Sequence, residues 1–182
     1  VTMTLSGDGG DELFLGYGSY DWAKRLNNPL VKLLRKPAAA ILANMGSRYK
    51  RAAGAFNYKS EEHLKSHIFS QEEYYFSEYE LDALLQPAYK SPLLFNENLP
   101  VARTLSPAEE QALFDIKYYL KDTLLTKVDI ASMQFSLETR TPFLDYRVVE
   151  FALNLAEDLK KKDGTAKYLL KEVLYDYVPK QI

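Results

Sequence analysis

Residues able to do chemistry crowd into the first twelve positions, where Ser6-Gly7-Asp8-Gly9-Gly10-Asp11-Glu12 follows the short apolar run Val1–Leu5. Ser6, Gly7, Gly9 and Gly10 let backbone N–H groups come close to an anion, and the carboxylates of Asp8, Asp11 and Glu12 suit a divalent cation that bridges to phosphate. That combination fits nucleotide chemistry. Two common phosphate loops are excluded, because the chain has no G-x-x-x-x-G-K-[ST] and the loop lacks G-x-G-x-x-G spacing. An EF-hand fails as well, since acids at 8, 11 and 12 do not follow its alternating ligand pattern. An ordinary strand-to-helix turn has the same glycine and aspartate content, so the loop alone leaves both readings open.

A second constellation runs from Lys127 to Asp145, KVDIASMQFSLETRTPFLD, and sets Lys127, Asp129, Glu138, Arg140 and Asp145 among apolar residues. Charges in such company must pair with one another or bind a charged ligand. An internal network of Arg140 with Glu138 or Asp145 is the plainer alternative, and Pro142 stiffens the loop. The third constellation is Lys167, expected just inside a helix start, with Lys171 one turn later and a run at Lys160–Lys162. A lysine in a first helical turn faces the positive end of the dipole, which makes sense when its partner is an anion. The Lys160–Lys162 run reads as a solvated basic face. His63 and His67, spaced i, i+4, lack the H-E-x-x-H glutamate and a third histidine, so they read as surface residues rather than half a zinc site. The basic, aromatic stretch Arg48–Lys59 and the acidic Gln71–Glu80 also read as ordinary surface.

These groups need positioning elements. Val1–Leu5 predicts a buried strand, and Asp11–Leu26 a helix with acids in its first turn. Asn27, Asn28 and Pro29 end it, and Pro29–Met45 follows with an apolar face at helical spacing that Pro37 should kink or divide. Arg48–Lys59 is expected to be irregular. Ser60 is expected to cap a short helix through Phe69, and Ser77–Leu85 to form another. Gln86–Pro107 holds four prolines and predicts an extended connection ending in the N-cap Ser106. A long helical run follows with a break near Thr126–Asp129, then a loop over Thr139–Asp145, a helix started by Asp145, a turn at Asp163–Gly164, and a helix capped by Thr165. Nothing after Leu5 reads as a second strand. The start at Val1 on a strand predicts that the sequence begins inside a larger domain, with pairing strands supplied from elsewhere.

The chain has 182 residues, 47% hydrophobic, enough to bury a sizeable core as one domain. A net charge of -2 gives no field to recruit nucleic acid or an anionic membrane, and no apolar run nears the roughly 20 residues that span a bilayer. Without cysteine there is no disulfide, thiolate metal site or cysteine nucleophile in these residues, which fits a cytoplasmic location.

In this order and spacing, LSGDGGDELFLGY, KVDIASMQFSLETRTPFLDYRVVEFA and KYLLKEVLYDYVP resemble the C-terminal part of the synthetase domain of glutamine-hydrolysing asparagine synthetases of the B type. The resemblance implies an ATP-pyrophosphatase-type α/β fold, related to adenine-nucleotide α-hydrolases, of which residues 1–182 are a mostly helical C-terminal portion with one N-terminal strand. It implies ATP and Mg2+ as cofactors, aspartate with glutamine or ammonia as substrates, a glutaminase domain elsewhere in the parent chain, and it admits a homodimer. Aspartate would be adenylated on its side chain, and ammonia would displace AMP. By the same resemblance Asp11 binds magnesium on the pyrophosphate side. Ser6, Gly7 and Gly9 belong to the nucleotide loop, and Asp8 lies near the reacting centre. Lys167 steadies the intermediate and pyrophosphate, and Arg140 and Glu138 belong to the loop that shapes the substrate pocket. Leu15 stands where the family usually has glycine, and the S-G-G-x-D-S loop is absent from these residues. They are therefore expected to be inactive by themselves. β-Lactam-forming synthetases share the fold frame, and a non-catalytic helical binding module is the alternative of a different class.

Overall fold

The computed structural model describes residues 1–73, 75–76, 81, 84–86 and 103–180. The predicted helix Ser77–Leu85 and the connection Gln86–Pro107 fall largely outside them. The chain divides into two compact units, one of Val1–Tyr20 with Ala108–Ile182 and the other of Asp21–Pro107.

In the first unit, strand β1 (Met3–Leu5) leads into helix α1 (Gly10–Leu13). β1 is not buried: Met3 is 43% and Leu5 66% exposed. Nor is it alone. Strand β2 (Glu138–Arg140), expected to be loop, pairs with it in parallel, with Met3 opposite Glu138 and Leu5 opposite Arg140. The Glu138 N–H donates to the Thr2 carbonyl at 3.0 Å, and the Ser6 N–H to the Arg140 carbonyl at 2.8 Å. Three residues with charges at both ends give no apolar alternation, and long-range pairing defines this strand.

The expected helix Asp11–Leu26 is two helices, because the chain turns sharply after Phe14. Leu15 adopts φ 54°, and the Gly16 N–H donates to the Asp11 carbonyl at 2.7 Å. Helix α2 (Ser19–Asn27) follows, and all of it from Asp21 on belongs to the second unit. Leu15 is 1% exposed and packs with Tyr20, Ala108 and Ala112. A left-handed leucine is costly, and its buried side chain is what holds it there.

In the second unit, helix α3 (Pro29–Asn44) starts as predicted, with Asn28 Oδ1 accepting from the Leu30 N–H at 2.9 Å, and it continues through Pro37. Helix α4 (Ser47–Ala55) replaces the irregular basic stretch. A 3-10 turn (Glu61–His63) precedes helix α5 (Leu64–Glu72), and the Ser60 side chain bonds the His63 ring at 2.6 Å instead of capping backbone. Ala23, Leu26, Tyr58, Leu64 and Ile68 form the core of this unit. His63 and His67 are buried rather than on the surface, and His67 Nε2 lies 3.0 Å from the Gly54 carbonyl.

Back in the first unit, helix α6 (Pro107–Asp115), a π-helical stretch (Ile116–Leu125) and helix α7 (Thr126–Met133) follow one another directly. The break expected at Thr126–Asp129 is a change from π-type to α-type turns, with no residue leaving the helix. A 3-10 turn (Pro142–Leu144) leads to helix α8 (Tyr146–Asn154), whose N-cap Asp145 accepts from the Arg147 N–H at 2.9 Å as predicted. Helix α9 (Glu157–Lys160) runs into the hairpin of strands β3 (Lys161–Lys162) and β4 (Thr165–Ala166). Asp163 and Gly164, at φ 48° and 80°, give the doubly left-handed turn a tight hairpin favours. Helix α10 (Tyr168–Leu174) starts later than predicted, with Lys167 rather than Thr165 before its first turn. Leu13, Phe14 and Ala152 anchor the core here, joined by Ile116, Phe143, Val149, Leu169 and Leu170.

Candidate functional site

β1 and β2 run in parallel, so the segments leaving their carboxyl ends emerge side by side, the usual place for a ligand on such a sheet. The segment after β1 is Ser6–Gly9, and the one after β2 is Thr141–Leu144. They interlock. Gly9 has φ 89°, and a Cβ there would overlap the Leu144 side chain; a Cβ on Gly10 would touch Phe143 at 3.4 Å. Gly7 faces open space, with nothing within 4 Å of where its Cβ would be.

Ser6 and Asp8 bond within the loop. The Ser6 hydroxyl donates to Asp8 Oδ2, and the Asp8 N–H reaches back to Ser6 Oγ at 3.4 Å. The three acids separate rather than cluster. Asp8 stays with Ser6, and Asp11 is one-third exposed. Glu12 is turned inward at 2% exposure, where its Oε1 accepts from the Tyr17 hydroxyl at 3.2 Å. Burial raises the Glu12 pKa, partly countered by a backbone hydrogen bond and the Tyr17 bond, with Asp11 and Asp8 adding to the rise. Tyr17 and Tyr20 behind it are pushed well above the usual phenol range, chiefly by burial. No group of three or more metal-type side chains occurs among the described residues, which corrects the expectation that Asp8, Asp11 and Glu12 act as one cation site.

Lys167 meets Asp11. Its Nζ lies 2.9 Å from Asp11 Oδ1, with the two side chains 38% and 33% exposed. Lys167 is left-handed (φ 54°, ψ 38°), and its N–H donates to the Phe14 carbonyl at 3.1 Å, so backbone as well as side chain ties it to the residues around α1. Residues 156 positions apart in sequence, one from each end, thus form a half-buried anion-cation pair directly after the glycine loop.

Glu138 and Arg140 lie two apart on β2, on one face, and pair with each other at 2.7 Å while both stay exposed. This is the internal pairing anticipated as the plainer alternative. Asp145, also considered as an Arg140 partner, instead takes a two-pronged bond from Arg147, which holds its carboxyl at about 2 together with the Arg147 backbone N–H. Lys160 is not solvated. It is buried and bonds Glu109 at 2.8 Å, anchoring α9, from which the hairpin carrying Lys167 departs. Sequence alone gave no signal for that pair, because Glu109 and Lys160 lie far apart and each looks like a helix-surface charge. Asp11 offers a single, one-third exposed carboxylate with Oδ1 on Lys167; magnesium commonly takes one or two protein carboxylates and fills its remaining positions with phosphate oxygens and water.

An asparagine synthase family model matches residues 1–182. Glutamine-hydrolyzing asparagine synthetase 1 of Bacillus subtilis (strain 168) is 30% identical over 200 residues, which takes in 100% of this chain and 29% of the relative. Glutamine-hydrolyzing asparagine synthetase 3 of the same organism is 31% identical over 93 residues, 51% of this chain and 14% of the relative. That of Gallus gallus is 35% identical over 83 residues, 42% of this chain and 15% of the relative. No solved structure matches the chain. The chain spans less than a third of the length of the curated relatives it matches.

Proposed function

Because the chain belongs to the asparagine synthase family, we propose that it is the part of an ATP-dependent amide ligase that grips pyrophosphate and supports the transfer, within an ATP-pyrophosphatase-type α/β fold. The parent protein adenylates the side-chain carboxylate of aspartate, and ammonia from glutamine displaces AMP. The observation that carries this reading is the 2.9 Å approach of Lys167 Nζ to Asp11 Oδ1, directly after the glycine loop in which the Cβ position of Gly7 faces open space. Leaving pyrophosphate accumulates negative charge, and a fixed cation aimed at it stabilises that charge.

Lys167 supplies this cation, and its ammonium exchanges Asp11 for phosphate oxygens when nucleotide arrives. Ser6, Gly7 and Gly9 line the phosphates. Asp11 would hold magnesium, which when bound neutralises charge on the pyrophosphate. Asp8, oriented by the Ser6 hydroxyl, takes the proton that the attacking ammonia releases. Arg140 and Glu138, paired on β2, border the acceptor pocket, and Arg140 is the group suited to a substrate carboxylate.

The test is the full-length protein with ATP, aspartate, magnesium and either glutamine or ammonia, followed as AMP, pyrophosphate and asparagine. Aspartate-dependent pyrophosphate release is expected, and Asp8→Ala should lower asparagine formation roughly 100- to 10,000-fold. Binding of ATP without any aspartate-dependent release contradicts the reading, and an unchanged rate in Asp8→Ala removes that residue's role.

A further inference from the structure

We infer that Gly16 is a positioning residue for the Asp11 carboxylate, a role that rests on the pyrophosphate-gripping function proposed above. Gly16 is not among the glycines with positive φ, so backbone conformation does not explain why a glycine stands there. Space does. A Cβ built on Gly16 would overlap Asp11 Oδ1, with Asp11 Cγ at 2.7 Å and the Asp11 Cα at 2.9 Å. Oδ1 is the same oxygen that bonds Lys167 Nζ at 2.9 Å. The side chain missing from Gly16 is thus the volume in which the Asp11 carboxylate rests while it faces Lys167.

The backbone reinforces the arrangement. The Gly16 N–H donates to the Asp11 carbonyl at 2.7 Å, closing a turn that returns the chain onto Asp11 after α1. Leu15, left-handed and buried, fixes that turn from the other side. A methyl group at position 16 keeps every charge in the protein; it displaces the Asp11 carboxylate and also presses on the Asp11 Cα 2.9 Å away, a backbone contact that stays in Asp11→Ala and is therefore subtracted by the double variant. The orientation of the acid toward Lys167, and toward any cation it holds, depends on that one absent carbon.

The test uses the full-length protein with Gly16→Ala, Asp11→Ala and the double variant. Titration with magnesium pyrophosphate should show affinity reduced about 10- to 100-fold in Gly16→Ala, the range found when groups that orient a metal ligand are altered. In the Asp11→Ala background, Gly16→Ala should change affinity no further and should cost less in Tm than it does in the wild-type background, because the carboxylate that it displaces is gone. A general structural role would lower both backgrounds equally, and that result overturns the inference. If Gly16→Ala alone does not fold, folding of the double variant supports the inference and failure of both overturns it. A wild-type protein that binds no magnesium pyrophosphate removes the proposed function. The Gly16 claim is then decided by a crystal structure of Gly16→Ala, in which the Asp11–Lys167 pair must be broken; an intact pair overturns it.

Discussion

Gly9→Ala perturbs the junction of the two loops in a way whose cost can be worked from the geometry. Gly9 sits at φ 89°, and its position for a Cβ is occupied by a methyl group of Leu144, with Leu144 Cγ at 3.0 Å. Forcing a left-handed conformation on alanine costs about 1–2 kcal/mol. Pressing a methyl group into Leu144 adds about 1–3 kcal/mol of overpacking. The sum is about 2–5 kcal/mol. Urea unfolding of the full-length protein, followed by circular dichroism, measures it as a fall in the midpoint at constant slope. The two parts separate in a double-mutant cycle, since in a Leu144→Ala background the obstacle is gone and only the left-handed part, about 1–2 kcal/mol, should remain. An undiminished cost in that background would refute the interlocking of the loops, and so would a Gly9→Ala protein as stable as the wild type.

Lys160→Met removes the cation from a buried pair whose side chains are 4% and 5% exposed, and should destabilise by about 3–5 kcal/mol in the same unfolding assay. Leu15→Gly relieves a left-handed residue but empties a leucine-sized volume at 1% exposure, so the cavity outweighs the relief and Tm should fall. Glu12 has a folded-state pKa raised above 4.5, so its ionisation disfavours the fold as pH rises through 4.5. Glu12→Gln, which has no charge to bury, should therefore melt above the wild type at pH 8, with the difference vanishing below pH 4.5; a constant difference across that range counts against a buried, titrating Glu12.

Elements set by local chemistry were legible in the sequence. Asn28 with Pro29, Asp145 before its helix, and the Asp163–Gly164 turn all stand where capping and turn rules put them. What was not legible depends on contacts made far along the chain. β2 is too short to carry a pattern, and the strand exists because Met3–Leu5 offers it a hydrogen-bonding edge. The hinge after α1 hides inside an apolar helical period, since a left-handed Leu15 has no sequence signature. Lys160 and Glu109 each look like surface charges until they are seen face to face. In the candidate site, the sequence singled out both loops and Lys167, and the structure brings Gly9 against Leu144 and Lys167 against Asp11. It also sends Glu12 inward, a choice that burial and the Tyr17 hydroxyl make and that residue type could not announce.

Calorimetric titration of magnesium pyrophosphate into the full-length protein, its Asp11→Asn and Lys167→Met variants and the double variant asks most directly whether the two ends of the chain share one ligand. Binding by the wild type is expected, with about tenfold or greater loss in each single variant and a loss in the double variant smaller than the product of the two. Wild-type affinity in both single variants would contradict a shared ligand.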